Sequence, residues 1–552
     1  MRTFGCLLVL FLVVASAGAQ VAPPNTGKLS WGLFEAASEM LQRSDQGAQV
    51  LSISALLVSA DDVTSSQTHE LQRLGYTVEA GFGHFTLVRA PGNLYLDRER
   101  GIDGLDFVST AMLPPASILN ASQTPGGGTI GASAAHAAGG GGGTTVAVIE
   151  EGFDPNDPLL QSVGSFHLVV PDASQDHGYT VESGRAARVD CHWTACATIV
   201  ADIAPEATLL LISYPSYFSL VGWLCALHYA VNELGADIVT TSLEFVEPTC
   251  HADGTGWLNA DVAGILSASQ TTLVLPSGNW ALGGANGRAF YSGLFADADG
   301  DDCHDFTQDA KTAWDRNTLR FSGRKGDTVE IIMEWDDWDR VSGAEDLDLI
   351  LSIDGYEQQV SASRGTQYGT TAPPVEIIRI ELPWTGDYCL TVENRASKWH
   401  AGATRAVSIH IYIRNLTTDC IAFVEHYSVA GSIREVATSR HVLTVGAASV
   451  ESRSLLPYSS RGPTFDGRTD KPEICAPSGV AGTCYRVFDG TSASAPHVAG
   501  ALSVLLSAVP ERSGSEAVAL LLRTAQWLTD DQGAQFCVVD LESALSGSTG
   551  VP

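Results

Sequence analysis

Basic side chains are scarce in this 552-residue chain: 31 Lys and Arg stand against 63 Asp and Glu, a formal net charge of −32. Nucleic acid and anionic membrane surfaces both call for a basic patch, so neither is an expected partner. The acidity reads as a soluble, self-repelling surface. Long apolar runs are also scarce. Only the first residues carry one, and it is too short to span a bilayer comfortably, so no membrane anchor is expected. Cysteine is sparse as well, and no pair has the C-x-x-C spacing of a thiolate metal site.

What is present begins with MRTFGCLLVLFLVVASAGAQ. Arg2 gives a positive start, Cys6 to Val14 an apolar core, and Ala17-Gly18-Ala19 a small-residue cleavage site, the pattern of an export signal over 1–19. The expected location is therefore extracellular or periplasmic. Removing Cys6 from eleven cysteines leaves ten, an even number that suggests disulfides in an exported protein. CAPSGVAGTC reads as a closed loop and makes Cys475–Cys484 the best local pairing.

At this length two or three domains are expected. Residues 20–122 hold an α+β unit: LSISALLVS as a strand, THELQRLG as a short helix, YTVEAGFGHFTLVRAP as a strand pair or one bent strand, then a helical stretch and a last extended piece. A Gly/Ala/Ser-rich connector follows. From Thr144 to 290 strands and helices alternate, which argues for a parallel sheet flanked by helices. Between 291 and 425 six strand-like runs separated by turn residues read as an inserted antiparallel β-sandwich. The buried-strand style resumes over 426–545, with 546–552 as a tail.

The chemistry sits in DGTSASAPHVAGALSVLL, Asp489 to Leu506. A Gly490-Thr491 turn delivers Ser492 to a helix start, where free N–H groups favour developing negative charge. Pro496 is expected in the first turn, where its missing donor costs little. An ordinary capping serine would look the same over three residues. The whole string, however, resembles the GTS-x-(small)-x-P-H-V-A-G signature of subtilisin-like serine peptidases.

That resemblance implies partners for Ser492. DCHWTACATIVADIAPEATLLLIS resembles the family's H-G-T helix and A-P-x-A turn, making His192 the base. VAVIEEGFD is similar to V-A-V-I-D-x-G-(F/I)-D, so Glu150 falls on the aspartate position and Glu151 on a variable one. Alternation along a strand lets only one of the two face His192, and Glu150 is the assignment. The acid–histidine–serine order is that of subtilisin-like peptidases. PSGNW resembles the strand end (A/S)-G-N, making Asn279 the oxyanion donor beside Gly278. Ser242-Leu243-Glu244 resembles the S-L-G strand that pairs with extended substrate; Glu244 there could narrow the cleft or favour a basic side chain. Trp193 replaces the glycine after the histidine. SLLPYSSRGPTFDGRTDKPEICAPSG and VDLESAL match further family segments, and residues 49–112 look like the family's propeptide.

The implied fold is an α/β, subtilisin-like parallel sheet with the inserted sandwich and the propeptide-like domain. The implied function is a secreted serine endopeptidase acting through an acyl-enzyme on protein or peptide substrates. Its own propeptide would be a further partner, and no cofactor enters the chemistry. The insert resembles β-sandwich modules appended to secreted bacterial peptidases. Asp297, Asp299, Asp301 and Asp302 could hold calcium, or form an acidic solvated turn. The rival reading, prompted by Glu150 and Trp193, is a catalytically silent relative binding protein or glycan through its sandwich. A sedolisin-like acid peptidase would use a glutamate, but needs an acid where Asn279 stands.

Overall fold

A computed structural model describes residue 37 and residues 52–548, apart from 60, 96–100, 103–104, 113–116, 120–138, 172–178, 183–190, 215–218, 246–250, 309–311, 339–344, 356–357, 368–371, 396–406, 419–420, 450–453, 481–486 and 530–532. The expected export signal, most of the connector and Cys484 lie outside the described residues. Among the described residues no helix is long and apolar enough to cross a membrane.

Ten strands form the central sheet, ordered Gln526–Thr529, Gln535–Val538, Ile474–Pro477, Val442–Ala448, Thr272–Pro276, Ile238–Thr240, Thr145–Glu150, Thr208–Ser213, Ser165–Pro171 and Tyr179–Glu182. Only the two edge strands run antiparallel to their neighbours. Val146 to Ile149 are wholly buried, as small and β-branched residues in a two-sided parallel strand should be. The sheet's chief cover is the helix Thr491–Ala508, in which every residue from Thr491 to Leu506 is buried. It is apolar on all sides because it lies inside the protein rather than on it. The helix Cys191–Ile203 packs against it and is likewise buried from His192 to Ala201.

The N-terminal unit is a four-stranded antiparallel sheet ordered Thr77–Phe82, Phe85–Pro91, Ser52–Ser59, Val108–Met112, with the helix Ser65–Leu74 closed by a Thr64/Gln67 capping box. YTVEAGFGHFTLVRAP is thus a strand pair. Leu56, Val58, Phe85 and Leu87 from one face of this sheet join the hydrophobic core of the central sheet. At its hairpin tip, His84 donates through Nδ1 (2.6 Å) and its backbone N–H (3.1 Å) to Asp261 in the helix Trp257–Ser267.

From Arg288 to Val424 the chain builds two antiparallel sheets, one of four strands and one of five, sharing a single hydrophobic core that includes Val329, Trp335, Leu349, Tyr388 and Ile411. The strand Arg288–Leu294 straddles residue 290, where the sequence suggested a boundary. A second cluster, Trp280, Phe290, Ile332 and Tyr412, joins this unit to the loop after the strand Thr272–Pro276.

Candidate active site

Gly490 caps the serine helix at φ 109°, a conformation a side chain would strain. Asp489 holds the turn: its Oδ1 accepts from Gly490 N–H (2.9 Å), Ser478 Oγ (2.6 Å) and the Tyr458 hydroxyl. Burial first, and then the Asp489 charge, raises the Tyr458 phenol well above its usual range, so it remains a donor. Ser492 is fully buried in the first turn that follows.

Pro496 is not in that first turn. The helix begins at Thr491, so the proline is its sixth residue and withholds the N–H that would reach the Ser492 carbonyl. The carbonyl is taken up from outside the helix instead. It accepts from Ser242 Oγ at 3.2 Å and from Cys196 Sγ at 3.7 Å. Cys196 lies four residues beyond His192 on the same helix, and its thiol also donates to Ser242 Oγ (3.1 Å). The backbone N–H of Ser242 donates to Glu150 Oε1 at 2.6 Å. Ser242 therefore ties the acid-bearing strand to the serine helix, with the histidine helix attached to the same hydroxyl. Sequence reading assigned Ser242 to substrate binding alone and did not consider Cys196. The signal for Cys196 was present, since positions i and i+4 share a helix face.

Glu150 ends the strand Thr145–Glu150, and both it and Glu151 are buried. Beyond them, Asp154 N–H donates to Thr194 Oγ1 (2.9 Å), fastening the strand's exit to the histidine helix two residues past His192. Asn279 is buried with its amide oxygen accepting from Thr491 N–H (3.1 Å) and Thr491 Oγ (3.0 Å). Anchored by its oxygen, the amide has its nitrogen as the donor end, one residue from Ser492.

The His192 ring is packed edge-on by Trp193 (centroids 4.4 Å) and Phe488 (5.2 Å). Burial, reinforced by the Arg288 charge, lowers its pKa from 6.5 to about 3. The imidazole is consequently neutral across the physiological range, the form a proton acceptor requires.

The strand Leu243–Phe245 pairs antiparallel with Ser117–Leu119 of the N-terminal part, Leu243 opposite Leu119 and Glu244 opposite Ile118. Glu244 Oε1 accepts from Trp280 Nε1 at 2.6 Å. Burial raises its pKa, opposed by the Arg288 and Arg434 charges. Gly278 has φ 96°, and a Cβ there would lie 3.0 Å from Glu244 Oε1, so the residue must be glycine. Glu244, Leu243, Trp223, Pro276, Ser277 and Arg434 line a cavity of about 20 Å³. Arg434 rests 3.4 Å over the Tyr412 ring. Neither Arg288 nor Arg434 stood out in the sequence, because the long two-sheet segment separates them.

Asp297, Asp299 and Asp301 do come together, their oxygens within 4.8 Å of one another. Asp297 accepts from the backbone N–H groups of Gly300, Asp301 and Asp302, and Asp299 meets Arg316 Nη1 at 2.9 Å. The Cys484 partner of the expected Cys475–Cys484 bridge lies outside the described residues. Cys475 is a free thiol on a buried strand, packed with Ala448, Leu455 and Phe536. Cys191, Cys389 and Cys537 are free thiols as well.

The sequence model of the subtilase family matches residues 428–540, the stretch that holds Asp489, Ser492 and the helix behind them. Over this segment the chain is similar to the subtilase family. The chain is 35% identical over 102 residues to the minor extracellular protease Vpr of Bacillus subtilis (strain 168), a match spanning 16% of this chain and 12% of that protein. Among solved structures it resembles the CspB protease of Clostridium perfringens at 16% identity and TM-score 0.46, covering 75% of this chain and 96% of the other. It also resembles the epidermin leader peptide processing serine protease EpiP of Staphylococcus aureus at 12% identity and TM-score 0.44, covering 91% and 99%.

Proposed function

We propose that this protein is a subtilase, an exported serine endopeptidase with Glu150, His192 and Ser492 as its catalytic residues. The observation that carries the reading is the outward-turned Ser492 carbonyl, received by Ser242 and Cys196 while Ser242 N–H holds Glu150. Acid strand, histidine helix and serine helix are thereby fixed to one another. In the reaction Ser492 Oγ bonds to the peptide carbonyl carbon and passes its proton to His192. The C–N bond breaks as His192 returns that proton to the leaving amine, and water then releases the acyl group by the same relay. Glu150 orients the imidazole. The Asn279 amide and the Ser492 N–H receive the oxyanion.

The N-terminal unit is the propeptide of this reading. Its Ser117–Leu119 strand occupies the edge an extended substrate would use, and its hairpin tip is bonded to Asp261. The two-sheet unit is the inserted sandwich. One observation favours a second reading, a silent relative that binds protein or glycan: the His192 ring is enclosed by Trp193 and Phe488, with a pKa low for a base.

A fluorophosphonate probe tests the choice. Labelling of wild type but not of Ser492→Ala is expected; no labelling of either leaves the silent reading. Glu150→Asp should keep or raise the labelling rate. Loss of labelling in Glu151→Gln but not in Glu150→Gln would refute the acid assignment.

A further inference from the structure

We propose that Asp62, His84 and Asp261 form a divalent-cation site, suited to zinc, that clasps the N-terminal unit to the helix Trp257–Ser267. The site stands apart from the peptidase reading and uses none of the residues assigned to catalysis.

Three separate segments meet there. Asp62 follows the strand Ser52–Ser59, His84 sits at the tip between the strands Thr77–Phe82 and Phe85–Pro91, and Asp261 lies on the helix. Each offers one ligand atom, and these atoms lie within 4.8 Å of one another. A tetrahedral ion with bonds of about 2.1 Å holds its ligands about 3.4 Å apart, so a small closing movement completes the shell. Asp62 is exposed and can supply that movement by rotating its side chain.

The cradle is built around the buried carboxylate. Asp261 Oδ2 accepts from the His84 backbone N–H (3.1 Å) and Oδ1 from His84 Nδ1 (2.6 Å). Gly83 has φ +53°, and a Cβ there would come within 2.5 Å of both Asp261 oxygens, so only glycine lets the turn close on the acid. One residue earlier, Phe82 meets the His228 ring (centroids 5.4 Å) at the end of the helix Ser219–His228. The hairpin tip is therefore seated on two helices, and its imidazole is in place before any ion arrives.

Charge is the second support. Burial raises the Asp261 pKa, and the Asp62 charge adds to that rise against the opposing bonds from His84. One histidine can neutralise one of the two carboxylates, whereas a divalent cation neutralises both. One nitrogen and two oxygens suit zinc better than calcium, which prefers a shell of oxygens only. As zinc enters, the His84 Nδ1 proton now donated to Asp261 leaves to solvent, and Nδ1 and Oδ1 become ligands. Oδ2 keeps the backbone N–H, which fixes the direction of the carboxylate. The turn of Asp297, Asp299 and Asp301 differs on each point. It has no nitrogen ligand, Asp297 already accepts three backbone N–H groups and Asp299 is paired with Arg316.

The test uses the full chain as Ser492→Ala, which keeps its N-terminal unit whether or not the protein is a peptidase. Zinc is titrated against a chromophoric chelator, metal-edge X-ray absorption reads the ligands, and hydrogen exchange reads the hairpin over 77–91. A single bound ion, a shell of one imidazole and oxygens, and slower exchange in the hairpin are expected. Asp62→Asn, at an exposed position, should weaken zinc binding at least about tenfold and His84→Ala further, while Asp299→Asn should leave it unchanged. No zinc binding, a shell containing sulfur, or an affinity unmoved by Asp62→Asn and His84→Ala overturns the site. A loss confined to Asp299→Asn assigns the ion to the acidic turn and overturns it as well. Zinc that binds without slowing exchange in the hairpin overturns the clasp.

Discussion

The serine end and the histidine end of the site are held in opposite ways. Around Ser492 runs a set of hydrogen bonds: Asp489 to the Gly490 turn, Asn279 to Thr491, Ser242 and Cys196 to the Ser492 carbonyl. Around His192 the ring meets two aromatic neighbours, Trp193 and Phe488, and burial dominates its proton affinity. Hydrogen bonds fix direction, which a nucleophile and its oxyanion donors need. Packing fixes position and excludes water, which sets the charge state of a base.

Three substitutions can break or sharpen this contrast. The largest effect should come from Asn279→Ala, which removes a directed donor: kcat should fall by about 10²–10³ with little change in KM. A loss confined to KM would mean that Asn279 only helps to bind substrate. Next is Ser242→Ala, which keeps the N–H on Glu150 but deletes the hydroxyl on the Ser492 carbonyl. A destabilisation of about 1 kcal/mol in denaturant unfolding and a fall in kcat of about tenfold are expected. An unchanged kcat would show that the outward bond has no part in placing the nucleophile. The smallest effect in rate, though the clearest in pH, belongs to Trp193→Gly. With water admitted, the depressed His192 pKa should climb from about 3 toward 6.5. Protonation would then disable the base at a higher pH, so activity at pH 5 should drop relative to pH 8. An acid limb that stays where it was would show that the indole does not control the ring's solvation.

Much of this was legible beforehand. Strand–helix alternation over 144–290 and the buried style of HVLTVGAAS gave the parallel sheet because two-sided burial leaves a mark on composition. The serine, histidine and asparagine strings pointed to the candidate site because each chemistry demands a residue type at a chain turn. Pro496 was misjudged by a few residues, since a helix start is set by the capping geometry at Gly490 rather than by the proline. The bond from Ser242 to Ser492 spans 250 positions, and no local pattern encodes a contact of that range. Arg288 and Arg434 were equally invisible: they bracket the two-sheet unit and act together only once it has folded back on Trp280 and Tyr412. The Cys475–Cys484 loop looked closed in the sequence, yet the strand Ile474–Pro477 directs Cys475 into an apolar cluster.

The proline in the serine helix has one more consequence. A helix that hydrogen-bonds to itself throughout can shift as a rigid rod without any residue inside it registering the movement. Here one carbonyl is moored to the link after the strand Ile238–Thr240 and to a different helix, so a slip of the rod strains the tether at Ser492 before it reaches the far end. Ser492 is thus the first residue to sense loosening between the layers. Heat or denaturant should silence it while the bulk of the sheet is still intact.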